Sequence, residues 1–245
     1  MKSTLHEQAA SNPLLRKLSS IADLSDEERQ AVLDLPVTVK VFEADTDIIQ
    51  DGDRSSDCAL VLSGFVCRYK ILPDGKRQIM GFYIPGDIPD LQSLHLHVMD
   101  SSVGALARSS IALIRHQSLR DMLRRHPNLS DILWRDTLID AAMFREWMIG
   151  LGRRSAYQRM AHVLCELQVR MKAVGLAREN GCELPITQNE FADALGLSTV
   201  HVNRVLQDLR RDGLIVLRGS MLEIPNWEAL QAAGEFDPAY LHLKR

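Results

Sequence analysis

The sequence lacks the features that would send it to a membrane or build it around metal or disulfides. Aromatic residues make up only 5% of the chain, and no apolar run approaches the roughly 18 residues of a membrane-spanning helix. The opening MKSTLHEQAASN has no apolar core of the signal-peptide kind, so the cytoplasm is the expected location. Cys58, Cys67, Cys165 and Cys182 stand far apart with no C-x-x-C pair. That spacing indicates neither a zinc ribbon nor a disulfide framework and leaves them as small core hydrophobes. Nor is there an excess of basic charge: 29 Lys and Arg face 32 Asp and Glu, a formal charge of -3. Any grip on nucleic acid must come from the placement of a few cations. No internal repeat or low-complexity linker is present. At 46% apolar and 25% charged, the 245 residues suit one large domain or two ordinary ones with a connector.

The most informative stretch runs from Thr187 to Ile215, TQNEFADALGLSTVHVNRVLQDLRRDGLI. Thr187 with Glu190 has the spacing of a capping box, which starts a helix. Gly196 can take the positive φ of a sharp corner, and Ser198 offers the N-cap of a second helix. In that second helix Val202, Val205, Leu206 and Leu209 make a narrow apolar stripe. The opposite face, Thr199, Val200, Asn203, Arg204 and Gln207 with His201 at its border, is free for another task. Arg can fork onto guanine O6 and N7, Asn and Gln onto adenine, and Thr or Val methyls can meet a thymine methyl. By itself this is also a helical corner of any small α-bundle. The next segment, LIVLRGSMLEI, decides the matter, because strand formers flank Arg218-Gly219-Ser220 as in the wing after a recognition helix. The expected DNA-binding residues are therefore Thr187, Ser198, Thr199, Val200, His201, Asn203, Arg204, Gln207 and Arg218, with Arg153, Arg154 and Arg159 as a basic entry.

Upstream, Leu14, Leu15, Leu18, Ile21 and Leu24 precede a second capping box, Ser25 with Glu28, and predict helices packed on the rest of the N-terminal half. Between Val37 and Arg115 come seven short strand-like runs, VTVKVFE, DIIQ, CALVLS, FVCRYKIL, RQIMGFYI, SSVGALA and SIALIR. Turn signals such as Asp51-Gly52, Ser63-Gly64, Pro73-Asp74-Gly75 and Pro85-Gly86 separate them, which predicts an antiparallel barrel or roll. The insertion from Asp87 to Asp100 is longer than a turn needs and is a place for a ligand. Within it His95 and His97 would share one side of an extended strand and could bind metal, or they are polar loop positions with no ligand. A short helix then precedes Pro127, and a long one of about six turns comes after it. Ile132, Ile139, Ala142, Met143 and Ile149 lie near one edge of it, and Leu133, Ala141, Phe144, Trp147 and Met148 widen the apolar surface. Such a helix needs two neighbours, its own domain and a second subunit, unless it is simply buried within a monomer. Gly150-Leu151-Gly152 is expected to break it as a hinge. A helix with a Met160, Val163, Leu164, Leu167 and Met171 face comes next, then a loop from Gly175 to Leu184. After Pro225 a tail carries a short helix and the packing aromatics Trp227, Phe236 and Tyr240.

This order resembles the Crp/Fnr family of bacterial transcription regulators, over almost the whole chain. The residues that carry the resemblance are GLS at 196–198, VNRVLQDLRRDGLI at 202–215 and LVLSGFVCRYKILPDGKRQI at 60–79. It implies an α+β fold: an antiparallel, cyclic-nucleotide-binding-like β-roll (jelly roll) at 1–128 with flanking helices, a dimerisation helix and hinge at 129–152, a winged helix-turn-helix at 153–225 and a tail at 226–245. It also implies a homodimer on a palindromic operator with half-sites one helical turn apart, RNA polymerase as a further partner, and no catalysis. Arg204 falls on the family's base-reading arginine, whereas Thr199 and Val200 fall where many members carry Arg-Glu or Val-Glu. The acidic base reader is missing. Cyclic-nucleotide binders use a Gly-Glu turn for the ribose and an Arg followed by Ser or Thr for the phosphate. Here Gly86, Asp87, Asp100, Ser101 and Ser102 stand at those places as candidate effector-binding residues, and Asp100 would repel a phosphodiester. That argues for an effector other than cyclic AMP. No cysteine cluster precedes Cys58 to hold iron–sulfur, haem would have to use His95, His97 or Cys67, and neither metal nor cofactor is expected. Two other readings are a cupin-like metal enzyme built on His95 and His97, and a constitutive regulator whose sensor binds nothing.

Overall fold

The computed structural model describes residues 11–244, so the opening residues judged for a signal peptide lie largely outside it. Helix α1 (Pro13–Ile21) begins where Asn12 accepts from Leu15 N, and α2 (Asp26–Leu33) begins at the Ser25/Glu28 capping box. Seven strands come next: β1 (Val37–Phe42), β2 (Asp47–Ile49), β3 (Asp57–Ser63), β4 (Val66–Ile71), β5 (Arg77–Tyr83), β6 (Ser102–Ala105) and β7 (Ser109–Arg115). Each overlaps one of the seven runs expected from sequence, β3 and β7 starting one residue earlier. They form two antiparallel sheets, ordered β1-β7-β3 and β2-β6-β4-β5. Between them lies a core of Ile49, Ala59, Val61, Val66, Tyr83, Met99, Val103 and Ile111. Residues of both sheets thus share one interior, as in a roll whose inner faces meet.

Helix α3 (His116–Arg125) leads to α4 (Pro127–Arg153), 27 residues long. Pro127 sits at the start of α4, where its missing N–H costs nothing. The expected break at Gly150–Gly152 does not occur: the helix runs through both glycines and ends at Arg153. A helical glycine costs only about 1 kcal/mol, a small penalty within a 27-residue helix. A Cβ on Gly150 would stand 3.7 Å from Arg159 Cγ, so that turn is already closely covered. Ser155 and Gln158 then cap α5 (Ala156–Ala173).

The expected loop at 175–184 is instead a hairpin, β8 (Ala177–Arg178) and β9 (Gly181–Glu183). It joins β10 (Val216–Arg218) and β11 (Met221–Glu223) in a four-stranded sheet ordered β10-β11-β9-β8. Two- and three-residue strands are too short to show alternation, so only the pairing of Leu222 with Cys182 reveals them. Between the hairpins lie α6 (Gln188–Leu195) and α7 (Thr199–Arg211), and the tail holds α8 (Trp227–Ala233) and a 3₁₀ turn, Pro238–Leu241.

The chain divides into two compact units. One holds the described residues up to Lys70, Phe82–Asp140 and Lys244; the other holds Ile71–Gly81 and Ala141–Leu243. Among the described residues no helix is long and apolar enough to cross a membrane. All four cysteines are buried thiols.

Candidate nucleic-acid interface

The corner between α6 and α7 is built by local chemistry. Thr187 Oγ1 accepts from Glu190 N at 3.3 Å while Glu190 Oε2 accepts from Thr187 N at 2.5 Å, closing the capping box. Gly196 ends α6 with φ +63°, a conformation that costs a side-chain-bearing residue energy. Ser198 Oγ then accepts from His201 N at 3.2 Å and starts α7. Val202, Val205, Leu206 and Leu209 are buried, and α7 packs on α5 and α6. That stripe fixes the rotation of α7 about its axis, so the opposite face is set by packing.

On that face Thr199, Val200, His201, Asn203, Arg204 and Gln207 are all exposed, as are Thr187, Ser198 and Arg218. Two are already tethered. Thr199 Oγ1 donates to Asn189 Oδ1 at 2.8 Å, and Asn203 Nδ2 donates to Gln188 Oε1 at 3.2 Å. Sequence reasoning misses Gln188 and Asn189 as part of this surface, because only the crossing of α6 over α7 aims them at it. Arg204 forms no ion pair among the described residues, whereas Arg211 is tied to Asp208 at 2.8 Å. Arg218 occupies the β10–β11 turn next to Gly219, φ +60°. The arginines expected as a basic entry divide. Arg154 is engaged by Glu146 and Glu235, and Arg159 donates to Leu151 O at 3.3 Å, leaving Arg153 exposed.

Behind the reader lies a buried polar network. Glu166 accepts from Trp147 Nε1 at 3.0 Å and from Tyr240 Oη at 2.8 Å, and pairs with Arg170 at 3.2 Å. His162 bonds Tyr240 Oη and Gly234 O, and its ring stacks with that of Tyr240. These bonds clamp the end of α4, α5 and the tail together, and burial lowers the His162 pKa.

With this geometry in place, comparison with known proteins is decisive. Residues 158–233 match the Crp-like helix-turn-helix domain and residues 39–126 the cyclic nucleotide-binding domain. The transcriptional activator FnrL of Cereibacter sphaeroides is 30% identical over 197 residues, covering 79% of each chain. The chain belongs to the Crp/Fnr family of transcription regulators. The nitrogen fixation regulation protein FixK of Bradyrhizobium diazoefficiens is 30% identical over 200 residues, 78% of this chain and 81% of that one. The structure of FixK2 from Bradyrhizobium japonicum superposes with a TM-score of 0.74 at 27% identity, covering 81% of this chain and 98% of that one. Crp/Fnr proteins are DNA-binding regulators rather than an enzyme class, which sets aside the cupin-like alternative.

The effector candidates of this Crp/Fnr chain are occupied by its own groups. Gly86 has φ +102°, and a Cβ there would come within 2.6 Å of Pro13 O. Asp87 Oδ1 accepts from Lys17 Nζ of α1 at 2.9 Å and Oδ2 from Ile84 N at 2.8 Å. Lys17 also lies 3.4 Å from Asp136 of α4, whose carboxyl burial pushes up while Lys17 opposes the shift. Asp100 is exposed and accepts from Ser101 Oγ, Ser101 is buried, and Ser102 Oγ accepts from Asp51 N at 3.0 Å. No sequence pattern singles out Arg68, whose guanidinium reaches Asp140 at 3.2 Å and the carbonyl of Pro89, and lies over the Tyr83 ring. His95 and His97 come after a 3₁₀ turn, Leu91–Leu94, in exposed irregular backbone rather than a strand. Their spacing therefore does not place them on one side, and no cluster of three metal-ligating residues exists among the described residues.

Proposed function

We propose that the protein is a homodimeric regulator that inserts α7 into the major groove of each half of a palindromic operator. The observation that carries this is the exposed Arg204, without an ion-pair partner among the described residues, on a helix whose rotation is fixed by a buried stripe. Thr187, Ser198, Thr199, Val200, His201, Asn203, Gln207 and Arg218 complete the DNA surface, with Thr199 and Asn203 held in place by Asn189 and Gln188. The division is a sensor at 1–128, a dimerisation helix at 129–152, the reader at 153–225 and a tail at 226–245. It works in the cytoplasm, and RNA polymerase is its further partner.

The effector is not cyclic AMP. Asp87 is already engaged on both oxygens by Lys17 and Ile84, and Asp100 stands where a cation would meet the phosphate. A ligand acting through Gly86 and Asp87 works by displacing Lys17 from Asp87, and one at Asp100, Ser101 or Ser102 meets the Asp51–Ser102 contact instead. Thiol sensing through Cys58, Cys165 or Cys182 is disfavoured, since burial pushes the Cys165 and Cys182 thiols up to about 12 and about 11, and Cys58 higher still. The test is to select duplexes from a random library with the purified protein, then measure wild type and Arg204→Ala on them. Loss of specific binding with an intact dimer by sedimentation supports the reading; equal discrimination by both proteins refutes it.

A further inference from the structure

Val200 is the residue of the reading face that the fold itself does not use. At 72% exposure it exceeds every other large hydrophobic residue described as exposed. It stands in the first turn of α7, beyond the buried stripe. A β-branched residue there weakens an exposed helix relative to alanine, so helix stability gives no reason for it. Its neighbours differ. Ser198 caps the helix, and Thr199 and Asn203 spend hydrogen bonds on α6. Val200 thus projects an isopropyl group from a rigid, pre-oriented surface into the space where DNA enters.

Given the DNA-reading role proposed above, on which this inference rests, the chemistry of the contact is narrow. An isopropyl group neither donates nor accepts hydrogen bonds. The one apolar group on a base edge in the major groove of unmodified DNA is the C5 methyl of thymine. We propose that Val200 reads a thymine methyl and so fixes a T·A pair in each half-site. Arg204 is four residues on and therefore on the same face, about 6 Å along the helix axis. Base pairs rise about 3.4 Å each. The thymine accordingly lies within about two base pairs of the guanine that Arg204 reads. The polar N4 of a cytosine or the bare C5 of uracil at that place leaves the isopropyl group without an apolar partner.

The experiment uses the full-length protein and duplexes enriched from a random library. Each thymine is replaced singly by uracil, which removes only the C5 methyl, and each guanine singly by 7-deazaguanine, which removes N7. One thymine per half-site should be uracil-sensitive, by roughly four-fold, the worth of one buried methyl group. It should lie within two base pairs of the 7-deaza-sensitive guanine. Val200→Ala, at an exposed position and with its fold checked by thermal melting, should bind the thymine and uracil duplexes equally at that place. Uracil tolerance at every position, or the same sensitivity retained in Val200→Ala, overturns the inference while leaving the DNA-reading role intact. Failure of the wild-type protein to enrich any sequence overturns both.

Discussion

Arg204 and Val200 are neighbours on one helix face with opposite physical tasks: one supplies a planar fork of donors, the other a patch with none. Charge alone therefore does not replace Arg204. Lysine keeps the cation but not the bidentate geometry. In Arg204→Lys, salt-dependent binding to random DNA should persist, while discrimination between guanine and adenine at the read position should fall by about 1–3 kcal/mol, measured by competition titration. A second residue-scale prediction concerns Asp90, which is fully buried and whose Oδ1 accepts from Ala59 N at 2.7 Å. Burial raises its carboxyl to about 6. The folded state thus holds a proton that the unfolded chain releases at lower pH. The stabilisation is fully present below about 4 and is lost as pH rises through about 6, on the order of 3 kcal/mol. Asp90→Asn, which keeps an acceptor for Ala59 but cannot ionise, should flatten the denaturation midpoint across that window; an unchanged slope would show that another group titrates.

At the scale of elements, α4 carries two apolar faces. Leu129, Ile132, Leu133, Ile139, Ala142 and Met143 are buried. Trp134, Leu138, Phe144, Met148, Ile149 and Leu151 are exposed, Trp134 by 64%. Positions 134, 137, 141, 144, 148 and 151 alternate steps of three and four, the seam of a helix pair. Phe144→Asp with Met148→Asp should yield a monomer by sedimentation equilibrium with helicity retained; a stable dimer would place the interface elsewhere. Ile149 belongs to this outer surface, although its spacing groups it with the inner edge. The tail is a second element whose task can be tested. Tyr240→Phe removes one hydroxyl that bonds both Glu166 and His162, and should cost about 1–3 kcal/mol in urea melts. A change near zero would mean the ring contacts with His162 and Phe236 hold the tail without it.

For the molecule as a whole, the roll strands and the reader are legible in the sequence because turn residues and helix caps act locally: Thr187, Gly196 and Ser198 do in the structure what their chemistry demands. Legibility fails where a local rule is overruled or has too little chain to act on. Two glycines do not break α4, since each costs only about 1 kcal/mol and Gly150 is buried against Arg159. The β8–β9 hairpin is too short to show a period, and His95 and His97 leave the strand their spacing assumes. Sequence by itself determined the family, the order of the roll strands and main helices, and which face of α7 is left free for a partner, because hydrophobic period and capping are properties of neighbouring residues. Only tertiary structure decided that Thr199 and Asn203 are tethered by Asn189 and Gln188, that Lys17 pairs with Asp87, and that Arg68 is matched by Asp140. Those pairings join residues brought together by the crossing of elements, and their partners lie 10 to 72 residues apart, beyond the reach of any local pattern. Val200 belongs to both accounts: its apolar chemistry is written in the sequence, and its isolation on a rigid surface is what the fold made of it.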